Sequence, residues 1–180
     1  MAMKCVRSVF AVFVFLYGLN LQAAMGNTEE TGDVLALLIP SIAFGGTFFR
    51  EEGHEGSMEF LKALGSTQLI TKALKTTIRK RRPNGNCCDS FPSGHSSRAF
   101  SGASFIHKRY GLKYSVPAYI AAAYVGYSRI DANQHEIEDV VVGALVGILG
   151  SYVFVHPYTQ VQVTAVAENG MYGLSFKKRL

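Results

Sequence analysis

Apolar and polar positions fall into long alternating blocks. Residues 9–17 form a short continuous apolar run. Residues 34–49 form a second, punctuated by Pro40, Gly45 and Gly46. At sixteen residues it is short for a membrane span, which needs about 20. Over residues 57–80 the apolar positions recur at helical spacing: Met58, Leu61, Leu64, Leu69, Ile70, Leu74 and Ile78, with Pro83 just beyond. That pattern predicts a long amphipathic helix. Another helix is predicted from Ser93, a natural N-cap, to about Lys108. Tyr114 or Ser115 opens a further apolar helix through Tyr127. The last long helix is predicted over residues 133–155, with Asn133 as its cap and Glu136 as the reciprocal partner. In it, Gly143 and Gly147 are spaced for close helix contact. The blocks therefore predict an all-α bundle of about five to six helices.

Beyond residue 157 the period changes. Val161, Val163 and Ala165 alternate, Asn169-Gly170 is a turn signal, and Tyr172, Leu174 and Phe176 alternate again. This predicts a short C-terminal β-hairpin. At the other end, Lys4 and Arg7, the apolar run and the small residues Ala23 and Ala24 read as a secretory signal over residues 1–24. The expected organisation is a signal peptide, a helical domain over residues 25–156 and a tail over 157–180. The expected location is outside the cytoplasmic membrane, in the periplasm or cell envelope.

Composition changes the picture in two ways. Only 17% of residues are charged, against about a quarter in ordinary soluble domains. Together with the apolar runs this points to membrane association. The formal charge of +5 includes Lys4 and Arg7, and no acid precedes Glu29. The remaining 16 basic and 13 acidic side chains leave +3. That excess, without aromatic-basic interleaving, does not suggest nucleic acid. Cys87 and Cys88 are adjacent in the loop at residues 84–90. A strained vicinal disulfide, a contact to another chain and two plain thiols are all open. No metal-ligand spacing is present.

The chemistry concentrates in residues 128–139, a polar stretch between two apolar ones. An Arg, a His and several carboxylates there are costly unless partnered. His135 and Asp139 are four apart, so on a helix they share a face. Two other polar groups lie at predicted helix ends: Lys75 with Arg82-Pro83, and Pro92-Ser93-Gly94-His95. Together these supply three cations, two imidazoles, a carboxylate and a glycine-opened helix N-terminus. A phosphate monoester needs about this set. Lys75, Arg82 and Arg129 can neutralise its oxygens, the arginines bidentately. Ser93 and the amides near Gly94 add neutral donors. One imidazole can attack phosphorus while the other protonates the leaving oxygen. With that many cations, neither a metal nor a cofactor is expected.

The spacing Lys-x6-Arg-Pro, then Pro-Ser-Gly-His, then Ser-Arg-x5-His-x3-Asp resembles the signature of the type 2 phosphatidic acid phosphatase / vanadium haloperoxidase superfamily. Lys75, Arg82 and Pro83 match its first motif; Pro92, Ser93, Gly94 and His95 its second; Ser128, Arg129, His135 and Asp139 its third. The resemblance implies a helical bundle with the motifs meeting at one end. It also implies His135 as the nucleophile that forms a phosphohistidine, Asp139 as its orienting partner, and His95 as the general acid. Lys75, Arg82, Ser93, Gly94 and Arg129 would bind phosphate. The leading expectation is an exported, metal-independent phosphatase acting on a phosphomonoester or diphosphate, of a lipid. The alternatives are a vanadium-dependent haloperoxidase, with His135 as vanadate ligand, and a non-catalytic envelope protein. His54, His107 and His156 are expected to be structural or at the surface, Arg79 and Lys80 to be a solvated helix end, and Tyr124 and Tyr127 to be core.

Overall fold

The computed structural model describes residues 26–51, 53–168 and 171–179. The signal-peptide expectation and the Asn169-Gly170 turn lie outside them. Among the described residues the chain is all-α from residue 28 to 154, with five helices: α1 (Thr28–Arg50), α2 (Glu55–Ile78), α3 (Gly94–Tyr110), α4 (Leu112–Asp131) and α5 (Ile137–Phe154). Two strands follow, β1 (Gln160–Glu168) and β2 (Met171–Arg179), paired antiparallel with Val163 opposite Phe176 and Ala165 opposite Leu174.

The first helix is longer than its apolar run. Asn27 accepts from the Glu29 amide at 2.9 Å and caps it, and Glu29 and Glu30 suit the positive end of its dipole. The polar residues 28–33 ahead of the apolar run are therefore part of the helix. Pro40 does not interrupt α1. Its backbone packs against Gly102 of α3, where an added Cβ would lie 2.8 Å from Pro40.

The central element is α3, which packs against each of the other four helices. Its sequence explains the position. Ser96, Ser97, Ala99, Ser101, Gly102, Ala103 and Ser104 are buried small residues, and small residues let helix backbones approach closely. On α5, Gly143 packs on the Ser93 carbonyl and Gly147 on the Ser97 carbonyl of the next turn. The close contact read from the Gly143 and Gly147 spacing is thus with α3.

Apart from a few large residues such as Phe60 and Phe105, the interior is made of small side chains, and many large apolar ones lie outside. On α2 the buried residues are Phe60 and small ones such as Ser57, Ala63 and Thr67. Met58, Leu61, Leu69, Ile70 and Ile78 of its apolar stripe point outward. Tyr124 and Tyr127, expected in the core, are also at the surface. The reason is the same: where helices approach closely, little interior room is left for large side chains. At the end of the bundle away from residues 128–139, buried Arg109 donates to Glu51 at 2.9 and 2.6 Å and to Glu59 at 3.0 Å. Glu59 also binds the exposed His156 ring at 2.8 Å. His107 meets the Tyr119 hydroxyl at 3.3 Å.

Candidate active site

Four chain segments converge at one end of the bundle. Lys75 lies in the last turn of α2, and Arg82, Asp89 and Ser90 follow in the loop to α3. Ser93 is the N-cap of α3, accepting from the Ser96 amide at 3.4 Å, with Gly94 and His95 in the first turn. Ser128 and Arg129 close α4. His135 sits in the connection to α5, and Asp139 in the first turn of α5. Backbone hydrogen bonds stitch these ends together. The Ser93 amide donates to the Asp139 carbonyl at 2.8 Å, Ser90 to Lys80 at 3.0 Å, and Asn84 to Asn133 at 3.0 Å. The amides of Gln134 and His135 both donate to the Arg129 carbonyl, at 3.0 and 3.2 Å.

The start of α5 differs from the sequence expectation. Asn133 adopts a left-handed φ of 52° in the turn after α4, a conformation Asn tolerates better than most residues. The N-cap is Glu136, and Asp139 is its reciprocal partner: the Glu136 amide donates to Asp139 Oδ2 at 3.0 Å. His135 therefore precedes the helix instead of occupying its first turn.

His135 and Asp139 are both buried. His135 Nδ1 is 3.7 Å from Asp139 Oδ2. Ser90, also buried, lies between them: its hydroxyl donates to Asp139 Oδ2 at 2.5 Å and is 3.4 Å from His135 Nδ1. With its own proton on Asp139, Ser90 Oγ has lone pairs free to accept from an Nδ1–H. Lys80 reaches the other oxygen, Asp139 Oδ1, at 2.8 Å, and also meets Glu136 at 2.5 Å and Glu138 at 2.6 Å. Burial works against its charge, but those hydrogen bonds outweigh it and hold its pKa above the usual value. Lys80 is thus not the solvated helix end expected from sequence. It neutralises the carboxylate behind His135.

The three expected phosphate-binding cations face the same end. Arg82 clasps Asp89 through Nε at 2.8 Å and Nη2 at 3.0 Å, and its Nη1 donates to Gln134 Oε1. Lys75 donates to the Asp89 carbonyl and lies against Gly94. Arg129 is buried; it donates to Asp33 Oδ1 at 2.7 Å, to the Glu29 carbonyl at 2.5 Å and to Ser128 Oγ at 3.2 Å. Asp33 Oδ1 also lies 3.1 Å from His95 Nε2.

Electrostatics place both imidazoles in one cationic environment. Burial, then Lys75 and Arg82, lower the His135 pKa to about 4 against the pull of Asp139. Burial, then Arg129, lower that of His95 to about 4, with Asp33 opposing and Arg98 and Arg82 adding to the depression. Lys75 is lowered by burial and by Arg82, with Asp89 opposing. Such clustering of shifted groups is typical of functional sites. Every residue singled out from the motifs reaches this end of the bundle. Asp33, Ser90, Lys80, Asp89 and Gln134 join them without a motif to announce them.

Comparison with known proteins fits this geometry. Residues 56–162 match the sequence profile of the PAP2 superfamily. The chain is 40% identical over 99 residues to lipid A 1-phosphatase of Porphyromonas gingivalis, a match covering 52% of this chain and 22% of that protein. It is 33% identical over 141 residues to lipid A 4'-phosphatase of Helicobacter pylori, covering 72% of this chain and 70% of the relative. The crystal structure of Aquifex aeolicus LpxE superposes with a TM-score of 0.56 at 25% identity, covering 83% and 84% of the two chains. The chain thus spans about a fifth of the first relative and over two thirds of the second.

Proposed function

Because the chain belongs to the PAP2 superfamily, we propose that it is a phosphatase that hydrolyses a phosphomonoester of a membrane lipid through a phosphohistidine at His135. The observation that carries the reading is the pairing of His135 with the Ser90–Asp139 dyad inside a ring of cations. A depressed pKa keeps His135 neutral at physiological pH. A proton on Nδ1, facing Ser90 Oγ, leaves the Nε2 lone pair for attack. That lone pair forms the P–N bond while the P–O bond to the lipid breaks. The departing oxygen keeps the electron pair and takes a proton from His95. Lys75, Arg82 and Arg129 carry the growing charge on the phosphoryl oxygens, with Ser93 and the amides near Gly94 as neutral donors. Water then attacks phosphorus, with His95 accepting its proton, and phosphate leaves His135.

The relatives named above act on lipid A, which makes lipid A the first substrate to test, ahead of phosphatidate, isoprenyl diphosphate and soluble esters. A membrane setting suits the surface. The helices α1 and α5 are long and apolar enough to cross a membrane. Ile137, Val141, Leu145, Leu149 and Val153 form an outward apolar stripe on α5 that none of the other described helices covers. The leader at residues 1–24 would direct export.

Phosphate release from each lipid class in detergent, with and without EDTA, tests substrate and metal independence. His135→Ala should be inactive on every ester. His95→Ala should lose about 10²–10⁴-fold on a lipid or alkyl phosphate but recover much of that on p-nitrophenyl phosphate, whose leaving group needs little protonation. Labelled phosphate trapped on protein in His135→Ala, or activity that requires added magnesium, would overturn the mechanism.

A further inference from the structure

Asp33 belongs to none of the motifs and lies outside residues 56–162, yet its carboxylate touches two of the site's groups. One oxygen, Oδ1, is 2.7 Å from Arg129 Nη1 and 3.1 Å from His95 Nε2. We propose that Asp33 is a positioning residue of the acid step, orienting His95 and favouring its protonated form against the phosphate-binding arginines. The inference rests on the reading of His95 as general acid.

The argument begins with what surrounds His95. Arg129 approaches from α4, Arg98 from its own helix and Arg82 from the α2–α3 loop, while Asp33 on α1 provides the opposing negative charge. From α2, Lys75 lies against neighbouring Gly94. Glu29 on α1 is 3.9 Å from Arg129 Nη1 and accepts from Gln134, so its charge is spent one step away. A general acid must carry its proton when the ester bond breaks, and burial among cations strips that proton. Without Asp33 the depression to about 4 would deepen. A bound phosphate ester brings up to two negative charges, which offset Arg82, Arg129 and Lys75. Asp33 supplies a carboxylate that stays through the reaction, while the charge of the phosphoryl group redistributes.

Geometry adds a second function. Because one oxygen touches both groups, the carboxylate fixes the imidazole relative to the guanidinium that holds the phosphate. Its own place is well secured: the Arg129 guanidinium also binds the Glu29 carbonyl one turn earlier, and Gln134 joins Glu29 to Arg82. The first turns of α1 therefore form a wall of the site. In this arrangement the imidazolium passes one proton to the ester oxygen as the P–O bond breaks, and regains one from the water that cleaves the phosphohistidine.

The test is the pH dependence of kcat for Asp33→Asn, measured on an alkyl phosphate and on p-nitrophenyl phosphate. The alkaline limb of kcat reports the acid in the enzyme–substrate complex. On the alkyl phosphate it should move to lower pH by about one unit or more, the effect of removing an opposite charge at this range. On p-nitrophenyl phosphate kcat should change little. Asp33→Glu should restore the limb, and in a His95→Ala background Asp33→Asn should cost nothing further. Asp33→Ser serves if the Asn variant does not fold, as judged by thermal unfolding in detergent. An unmoved limb overturns the proposal, as does an equal loss in the His95→Ala background. A gain in activity with tighter phosphate inhibition also overturns it, because Asp33 would then merely compete with phosphate for Arg129. If His95→Ala shows no dependence on the leaving group, the reading of His95 itself fails; if that dependence holds while the Asp33→Asn limb stays fixed, only the present inference fails.

Discussion

At the scale of single residues, Ser90 is the least expected participant. Its hydroxyl spans a gap that the His135–Asp139 pair leaves too wide for a direct hydrogen bond, 3.7 Å. Ser90→Ala should therefore leave His135 present but poorly oriented. We expect kcat to fall about 10–100-fold with little change in KM, equally on alkyl and p-nitrophenyl phosphates, because the proposed nucleophile and not the proposed acid is affected. A loss confined to the alkyl phosphate would contradict this. The pKa of His135 has a consequence for stability as well. Folding lowers it from 6.5 to about 4, so the unfolded chain takes up a proton first as pH falls. The stability that a neutral His135 provides is complete above about 6.5 and is lost between 6.5 and 4, amounting to about 3 kcal/mol. Thermal unfolding in detergent at pH 7 and pH 4.5 should show a drop in Tm that His135→Gln reduces; an equal drop in both would refute the assignment. The motif residues were legible because their chemistry is written in their types and spacing. Ser90, Lys80 and Asp33 were not, because each is an ordinary residue whose role comes from a partner 49, 59 or 62 positions away in sequence (Asp139 for the first two, His95 for the third).

At the scale of elements, helix existence was legible and helix facing was not. Periodicity located α2 within two residues at each end, yet apart from Phe60 most of its large apolar side chains face out and small ones face in. Periodicity identifies a stripe; it does not say whether helices or lipid will cover it. The glycines carried the missing information, since close approach demands them where α5 crosses α3. This gives a prediction that runs against helix propensity. In an exposed helix Gly→Ala stabilises by about 1 kcal/mol. At Gly147 a Cβ would press on the Ser97 carbonyl and lie 2.8 Å from the Ser101 amide nitrogen, backbone atoms that can yield only by separating the helices. Gly147→Ala should therefore destabilise by about 1–3 kcal/mol and disturb the site through the Ser93–Asp139 tie that joins the same two helices. Gly65, with open space around its Cα, is the control: Gly65→Ala should leave Tm unchanged or raise it. A neutral result at Gly147 would mean that α3 and α5 pack less tightly than described.

At the scale of the whole molecule, charge is segregated to two ends. One end is the site; the other is the buried Arg109–Glu51–Glu59 cluster with its ring of Tyr110, Tyr114 and Tyr158. Between them α1, α4 and α5 carry no charged residue over 34–49, 114–128 and 140–155. At 1.5 Å per residue these stretches span about 22–24 Å, several ångströms short of a hydrocarbon core of about 30 Å. The exposed residues of that belt include Ile42, Ile120, Val141, Leu145 and Leu149. Water would be a poor solvent for so continuous an apolar surface, whereas a bilayer can thin locally to match it at a modest cost per ångström. In a bilayer the belt would set the height of the proposed active site, whose cations would then stand at the headgroup level, where a lipid phosphate lies. Sedimented membranes should therefore retain the protein through carbonate washing and release it in detergent. Leu149→Lys, on the outer face of α5 and far from His135, should leave p-nitrophenyl phosphatase activity in detergent within about twofold while lowering the amount recovered in membranes, since a lysine near mid-bilayer costs about 2.5–3.5 kcal/mol. Complete release of the wild-type protein by carbonate, with Leu149→Lys behaving identically, would show that the belt is covered by something other than lipid.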